Sequence, residues 1–152
     1  MRISVIAVGR LKSGPEAALV QQYAGRLTWP VTIREVEEKK KLPPAALRKR
    51  EADLLLSSCA ASSVVIALDE KGTQLSSRDF AHRLGNWRDD GEPEVSFLIG
   101  GADGLEKKVL DRAALVMSLG KPTWPHQLVR GLLLEQIYRS QQILAGHPYH
   151  RD

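Results

Sequence analysis

Ser63-Val64-Val65-Ile66-Ala67-Leu68 carries no charge and is closed at once by Asp69-Glu70-Lys71-Gly72. A short apolar run rich in β-branched residues and bounded by turn formers reads as a strand buried on both faces. Val95-Ser96-Phe97-Leu98-Ile99 has the same character and stops at Gly100-Gly101; Ile3 to Val8 stops at Gly9. Val31 to Val36 alternates as a half-buried strand does, and Leu115 to Leu119 supplies a fifth strand. Helical segments are predicted between them. Pro15 to Leu27 begins with a proline where the missing N–H does no harm. A second helix starts at the two prolines after Lys39 to Lys41 and runs to about Ala61. Ser76 or Ser77 caps a third that reaches Arg88, with Asp89-Asp90-Gly91 as the turn out. Leu105 to Arg112 and Gln127 to Ala145 are the last two. Strands that alternate with helices and are nearly uniformly apolar imply an α/β fold: a mostly parallel sheet with helices on both faces.

The chain has 152 residues, 43% hydrophobic and 26% charged, which is ordinary globular composition and argues against disorder. That size, with no composition break and no internal repeat, gives one domain over residues 1–152. No stretch approaches the roughly 20 apolar residues of a membrane span. The N-terminal run is too short for a signal peptide, so a cytoplasmic protein is expected. A single cysteine, Cys59, excludes an internal disulfide and multi-cysteine metal sites; set among Leu54, Leu55 and Leu56 it reads as a small core residue within a helix.

The net charge of +4 is compatible with an anionic partner without demanding one. The densest basic stretch, Lys39-Lys40-Lys41 with Arg48-Lys49-Arg50, follows Glu35, Glu37 and Glu38. It reads first as a self-compensating solvated face, with a phosphate-contacting patch as the alternative.

Ligands of open α/β sheets bind beyond the carboxyl ends of the strands, which directs attention to the loops there. Gly9-Arg10-Leu11-Lys12-Ser13-Gly14 has the glycine spacing of a phosphate-binding loop, but Pro15-Glu16 stand where Lys and Ser or Thr are needed. It also lacks the glycine pattern of a dinucleotide fold, so both standard nucleotide readings fail. Gly100-Gly101-Ala102-Asp103-Gly104 permits close approach of backbone to something bound, or is simply a tight turn. Gly120-Lys121-Pro122-Thr123-Trp124-Pro125-His126 is stiffened by two prolines and suits recognition of an adenine edge, with Trp124 a stacking surface or a packing plug. The helix after it is apolar over more than one face, through Leu128, Val129, Leu132, Leu133, Leu134, Ile137, Tyr138, Ile143 and Leu144. A partner subunit or deep burial against the sheet would account for that. His147 and His150 have Pro148 between them and no further ligands, so a metal site is not expected. The tail Gly146-His147-Pro148-Tyr149-His150-Arg151-Asp152 does combine a stacking ring, proton-transfer groups and a fixed cation.

Four blocks in order are specific together. Val95 to Gly104, Thr123-Trp124-Pro125-His126-Gln127-Leu128-Val129-Arg130, Glu135-Gln136-Ile137-Tyr138-Arg139 and His147-Pro148-Tyr149-His150-Arg151 resemble the motifs of the ribosomal RNA large subunit methyltransferase H family. Ile3 to Gly9 and Ala67-Leu68-Asp69 match as well, so the resemblance covers nearly the whole chain. It implies the SPOUT methyltransferase fold with a C-terminal trefoil knot, a rare exception to the rule against knots. It also implies a homodimer that uses S-adenosylmethionine, releases S-adenosylhomocysteine, and methylates N3 of a pseudouridine in a 23S rRNA stem-loop on assembled ribosomes. By the same resemblance the cofactor would lie among Leu68, Gly100, Leu119, Gly120, Lys121, Pro122, Thr123 and Trp124, with Pro125 closing the loop. His126, Arg139, Tyr149, His150 and Arg151 would form the rRNA-facing catalytic region, His150 as base and Arg139 or Arg151 as its electrostatic partner. A non-catalytic RNA-binding relative and a SPOUT enzyme acting on another base are the competing expectations.

Overall fold

The computed structural model describes residues 1–152. The expected alternation is present: β1 (Arg2–Val8), α1 (Pro15–Ala24), β2 (Val31–Val36), α2 (Pro44–Ser57), β3 (Val64–Gln74), α3 (Ser77–Asp89), β4 (Glu94–Ile99), α4 (Lys107–Arg112), β5 (Leu115–Ser118) and α5 (His126–Leu144). All five strands pair in parallel in the order β2-β1-β4-β3-β5.

The two-residue strand period sorts the core into two layers. Ile3, Val5 and Ala7 of β1, with Val95, Phe97 and Ile99 of β4, meet α1, α3 and α5 through Val20, Phe80, Leu84, Leu133, Leu134 and Ile137. Ile6, Val8 and Leu98 point the other way, onto Ala52 and Leu55 of α2 and Val109 of α4. Burial on both faces is why these strands read as continuous apolar runs.

Helix ends follow local chemistry. The Ser76 hydroxyl accepts from the Asp79 amide at 3.1 Å, so Ser76 is the cap of α3. Helices α1 and α2 end sooner than the periodicity predicts, at Ala24 and Ser57. Cys59 therefore lies just beyond α2 rather than within it; half-buried, it donates to the Leu55 carbonyl at 3.4 Å, and burial raises its thiol pKa. The basic stretch compensates itself as first read: Arg50 pairs with Glu38 at 2.8 Å and Arg48 with Glu106 at 3.1 Å.

The largest departure concerns β3. Asp69-Glu70-Lys71-Gly72 does not stop the strand but bulges from it, after which Thr73 and Gln74 resume pairing with Met117 and Ser118 of β5. Gly72 makes that return possible, since a Cβ there would lie 2.7 Å from the Met117 carbonyl carbon and 2.8 Å from its nitrogen. Backbone on both sides cannot yield as a flexible side chain would. Gly72→Ala should therefore cost about 3 kcal/mol in urea unfolding, at the upper end for overpacking. A loss under about 0.5 kcal/mol would mean that the bulge can slide.

Helix α5 lies between α1 and α3 against the sheet. Between Leu128 and Leu144 every residue is buried or half-buried in the single chain. Leu133, Leu134 and Ile137 are fully buried, while Leu128, Val129, Leu132, Tyr138, Ile143 and Leu144 are half-buried.

Candidate active site

The carboxyl ends of β3, β4 and β5 open together into a cavity of about 470 Å³, within the roughly 300–1,000 Å³ of small-ligand clefts. Leu68, Gly100, Leu119, Gly120, Pro122, Thr123, Trp124 and Pro125 all line it. Of the residues expected to hold a cofactor, only Lys121 is absent from the wall; it is exposed. Ile99, Met117 and Val129 add apolar lining. The stiff loop is fixed internally: the Trp124 indole donates to the Leu119 carbonyl at 3.2 Å, and the Ser118 hydroxyl donates to the Gly120 carbonyl at 2.8 Å. Trp124 remains 41% exposed, so it is a rim surface and not a core plug.

The charge of this wall is one-sided. Asp69, Glu70 and Asp103 line it with no Lys or Arg; His126 is the one basic side chain. Such a wall disfavours a phosphate-bearing ligand and favours one with positive charge. Gly101-Ala102-Asp103-Gly104 closes one side as a turn, the Gly104 amide donating to the Gly101 carbonyl at 3.1 Å.

The tail candidates assemble elsewhere. A second cavity, of about 590 Å³, is lined by Tyr149 and Arg139 with Tyr23 and Glu135, and shares Met117, Ser118, Leu119, Gly120 and Trp124 with the first. The two cavities therefore lie on either side of one strand-end wall. Glu135 organises the second: its carboxylate accepts from Arg139 at 2.5 and 3.0 Å and from the Tyr149 hydroxyl at 3.1 Å. The Tyr149 ring meets Tyr138 edge-on at 4.8 Å, with the Arg139 guanidinium 4.9 Å from its centre. His150 bridges Arg139, at 3.2 Å from Nδ1, and Asp152, at 3.1 Å from Nε2. An arginine can only donate, so Nδ1 holds the lone pair and Nε2 the proton. His126 stands at the first cavity and not with the tail, while Arg151 is exposed and makes no hydrogen bond or ion pair.

Burial, hydrogen bonds with Tyr23 and Glu135, and the Glu135 charge push the Tyr149 phenol up to about 12. It is a proton donor, not a base, at any physiological pH. Glu135→Gln should bring that titration part of the way down toward the ordinary value of about 10, leaving the contribution of burial. Tyrosinate absorbance, referenced to Tyr149→Phe, would show it; an unchanged midpoint would remove Glu135 from this role.

Asp69 and Glu70 reach the wall from the bulge of β3 and Asp103 from the turn after β4, and the glycine turn after β4 was the usable signal in the sequence. No group of three or more side chains suited to a metal forms anywhere. No helix is long and apolar enough to cross a membrane.

Comparison with known proteins places the chain in a family. The chain belongs to the SPOUT methyltransferase family: residues 1–150 match the family described as "Predicted SPOUT methyltransferase". Within it, the relatives are ribosomal RNA large subunit methyltransferases H. The protein of that name from Rhodospirillum centenum is 53% identical over 151 residues, and that from Paramagnetospirillum magneticum 54%, each alignment covering 99% of both chains. A methylase-family protein from Neisseria gonorrhoeae, 13% identical, shares the fold with a TM-score of 0.57 over 99% of this chain and 87% of its own.

Proposed function

We propose that the chain transfers a methyl group from S-adenosylmethionine to large-subunit rRNA, at N3 of a pseudouridine in a 23S stem-loop. In this reading it works in the cytoplasm, as a homodimer, on assembled ribosomes. The observation that carries the proposal is the wall of the first cavity, with three carboxylates, no lysine or arginine, and apolar lining. That donor set fits a ligand that is cationic at sulfur and at its amino group and apolar at its adenine.

S-adenosylmethionine held there would supply an activated methyl group, with S-adenosylhomocysteine as the product. The chain's residues do the rest. Leu119 to Pro125, locked by the Ser118 and Trp124 hydrogen bonds, would hold it through fixed backbone groups. A rigid site of this kind would contribute to the rate by fixing the orientation of donor and acceptor. N3 of the base must lose its proton as the new bond forms. In this reading His150 receives it at Nδ1, the nitrogen that Arg139 now holds, and Arg139 stabilises negative charge developing on the base. Arg151, exposed and unpaired, is free to contact rRNA phosphate.

The test is methyl transfer from labelled S-adenosylmethionine to ribosomes lacking the modification, with free rRNA and tRNA in parallel. Label confined to the large-subunit rRNA of intact ribosomes is the expected result. Label on tRNA or free rRNA would overturn the substrate. No label and no cofactor binding by calorimetry would leave a folded RNA-binding relative.

A further inference from the structure

Glu51 lies on α2, across the sheet from α5, and is 8% exposed. Its carboxyl extends past Val8 to the glycine turn: a Cβ on Gly101 would sit 3.1 Å from Oε2 and 3.1 Å from the Val8 methyl. Gly101 is glycine because this acid occupies the space a side chain would need. The carboxyl is nonetheless unpartnered, for Oε1 is fully buried and accepts nothing. In the turn above, the Ala102 and Asp103 amides donate to no acceptor in the chain. A buried acceptor without a donor is costly while it stays unpaired, and the neighbouring turn, exposed from Ala102 to Gly104, carries two amides with no acceptor in the chain.

The surrounding charges do not meet the need. Arg48 is taken by Glu106 at 3.1 Å and Arg50 by Glu38 at 2.8 Å; Lys108 is taken by Asp53, Lys107 by Asp111 at 2.6 Å, and Arg10 faces Glu37 at 3.6 Å. Lys49, the remaining cation of the helix, is exposed. Burial, and then the Asp103 charge, raise the Glu51 pKa.

We propose that Glu51 is a positioning residue for the cofactor cavity, its carboxyl the anchor on which the Gly101–Gly104 turn closes when a cationic cofactor binds. This rests on reading the first cavity as the S-adenosylmethionine site. Closure gives the carboxylate two amide donors and brings a positive ligand near, both of which favour its charged form. Binding thus releases a proton, and affinity rises with pH while Glu51 in the free protein is losing its own.

Calorimetry with S-adenosylmethionine tests this. The wild-type affinity should rise with pH above the ordinary carboxylate value of about 4.3. Glu51→Gln, which keeps the packing and removes the titration, should bind about tenfold more weakly at neutral pH, with no such slope. Superimposable wild-type and Glu51→Gln profiles would overturn the proposal. A second measurement follows the turn itself: binding of S-adenosylmethionine should slow amide exchange at Ala102 and Asp103 at least about threefold in the wild type and not in Glu51→Ala, and equal slowing in both would overturn the anchor. Failure of the wild type to bind at any pH would overturn the cofactor reading of the cavity, an outcome distinct from binding without a Glu51 effect.

Discussion

Replacing His150 by alanine should lower methyl transfer to ribosomes by about 10²–10⁴-fold, the usual worth of a positioned proton acceptor, while leaving cofactor affinity unchanged. The second half follows from placement, since His150 belongs to the tail cluster and does not line the first cavity. The first half follows from the ring's surroundings. Its lone pair at Nδ1 is the available acceptor, at present 3.2 Å from Arg139. To take a proton there the ring must become a cation beside a guanidinium, which in isolation would be unfavourable. Glu135, bound to Arg139 at 2.5 Å, and Asp152, at 3.1 Å from Nε2, supply the compensating negative charge. A shift of Arg139 from Nδ1 to the base would free the acceptor and stabilise the anion in one movement. Single-turnover measurement with saturating ribosomes is the appropriate readout. Turnover of His150→Ala within about threefold of wild type would exclude His150 as the base. Arg151→Ala should behave differently, weakening ribosome binding with turnover preserved at saturation.

Replacing Arg130 by alanine should cost about 2–4 kcal/mol of stability, from the cavity it leaves and the strand-end carbonyls it strips of a donor. Arg130 is 1% exposed and sits at the start of α5. One guanidinium nitrogen meets Glu35 at 2.6 Å; another donates to the Val8 carbonyl at 3.1 Å and the Gly9 carbonyl at 2.8 Å. One side chain thus joins the carboxyl end of β1, strand β2 and helix α5. Alanine would leave these acceptors unpaired and open a cavity behind them. At about 2–4 °C per kcal/mol for a chain of this size, the melting temperature should fall by roughly 10 °C. Arg130→Met, which restores the volume, should recover part of the loss.

The same pair sets a dependence on pH. Burial works against the Glu35 charge, but the Leu11 amide, at 2.5 Å, and Arg130 outweigh it and hold the carboxyl below its ordinary value. A carboxyl with a lowered folded pKa contributes stability above its unfolded pKa, and that contribution disappears as pH falls through the folded one. The gap between wild type and Arg130→Ala should therefore be full at pH 7 and narrow below about pH 4. A gap independent of pH would place the effect in packing alone.

Much of the fold was legible because its signals are local. Five- or six-residue apolar runs closed by glycine or acid clusters gave the strands, Ser76 or Ser77 gave the cap of α3, and alternation of element types gave a sheet covered on both faces. Element ends were less legible: α1 stops one residue before Gly25 and α2 one before Ser58, each short of where its apolar pattern runs out. The continuation of β3 past Gly72 was misread as well. Asp-Glu-Lys-Gly is turn chemistry in any short window, and only the backbone of β5 shows that the strand returns. The cofactor candidates were legible as strand-end loops and converge on one cavity, Lys121 excepted. The tail candidates were legible as chemistry but not as a place: nothing in His147 to Asp152 indicates that Glu135, Arg139 and Tyr138 receive it.

The sequence by itself determined the class of fold, the helix and strand order, and the family to which the chain belongs, because periodicity and motif order are properties of neighbours along the chain. Only the tertiary structure decided which charges face which. It set three carboxylates around one cavity, turned His126 toward that cavity, buried Arg130 against the end of β1, and placed Glu51 under the glycine turn from the opposite side of the sheet. Electrostatics and burial act through space, between residues as far apart in the chain as Glu35 and Arg130, and no pattern along the chain encodes that distance.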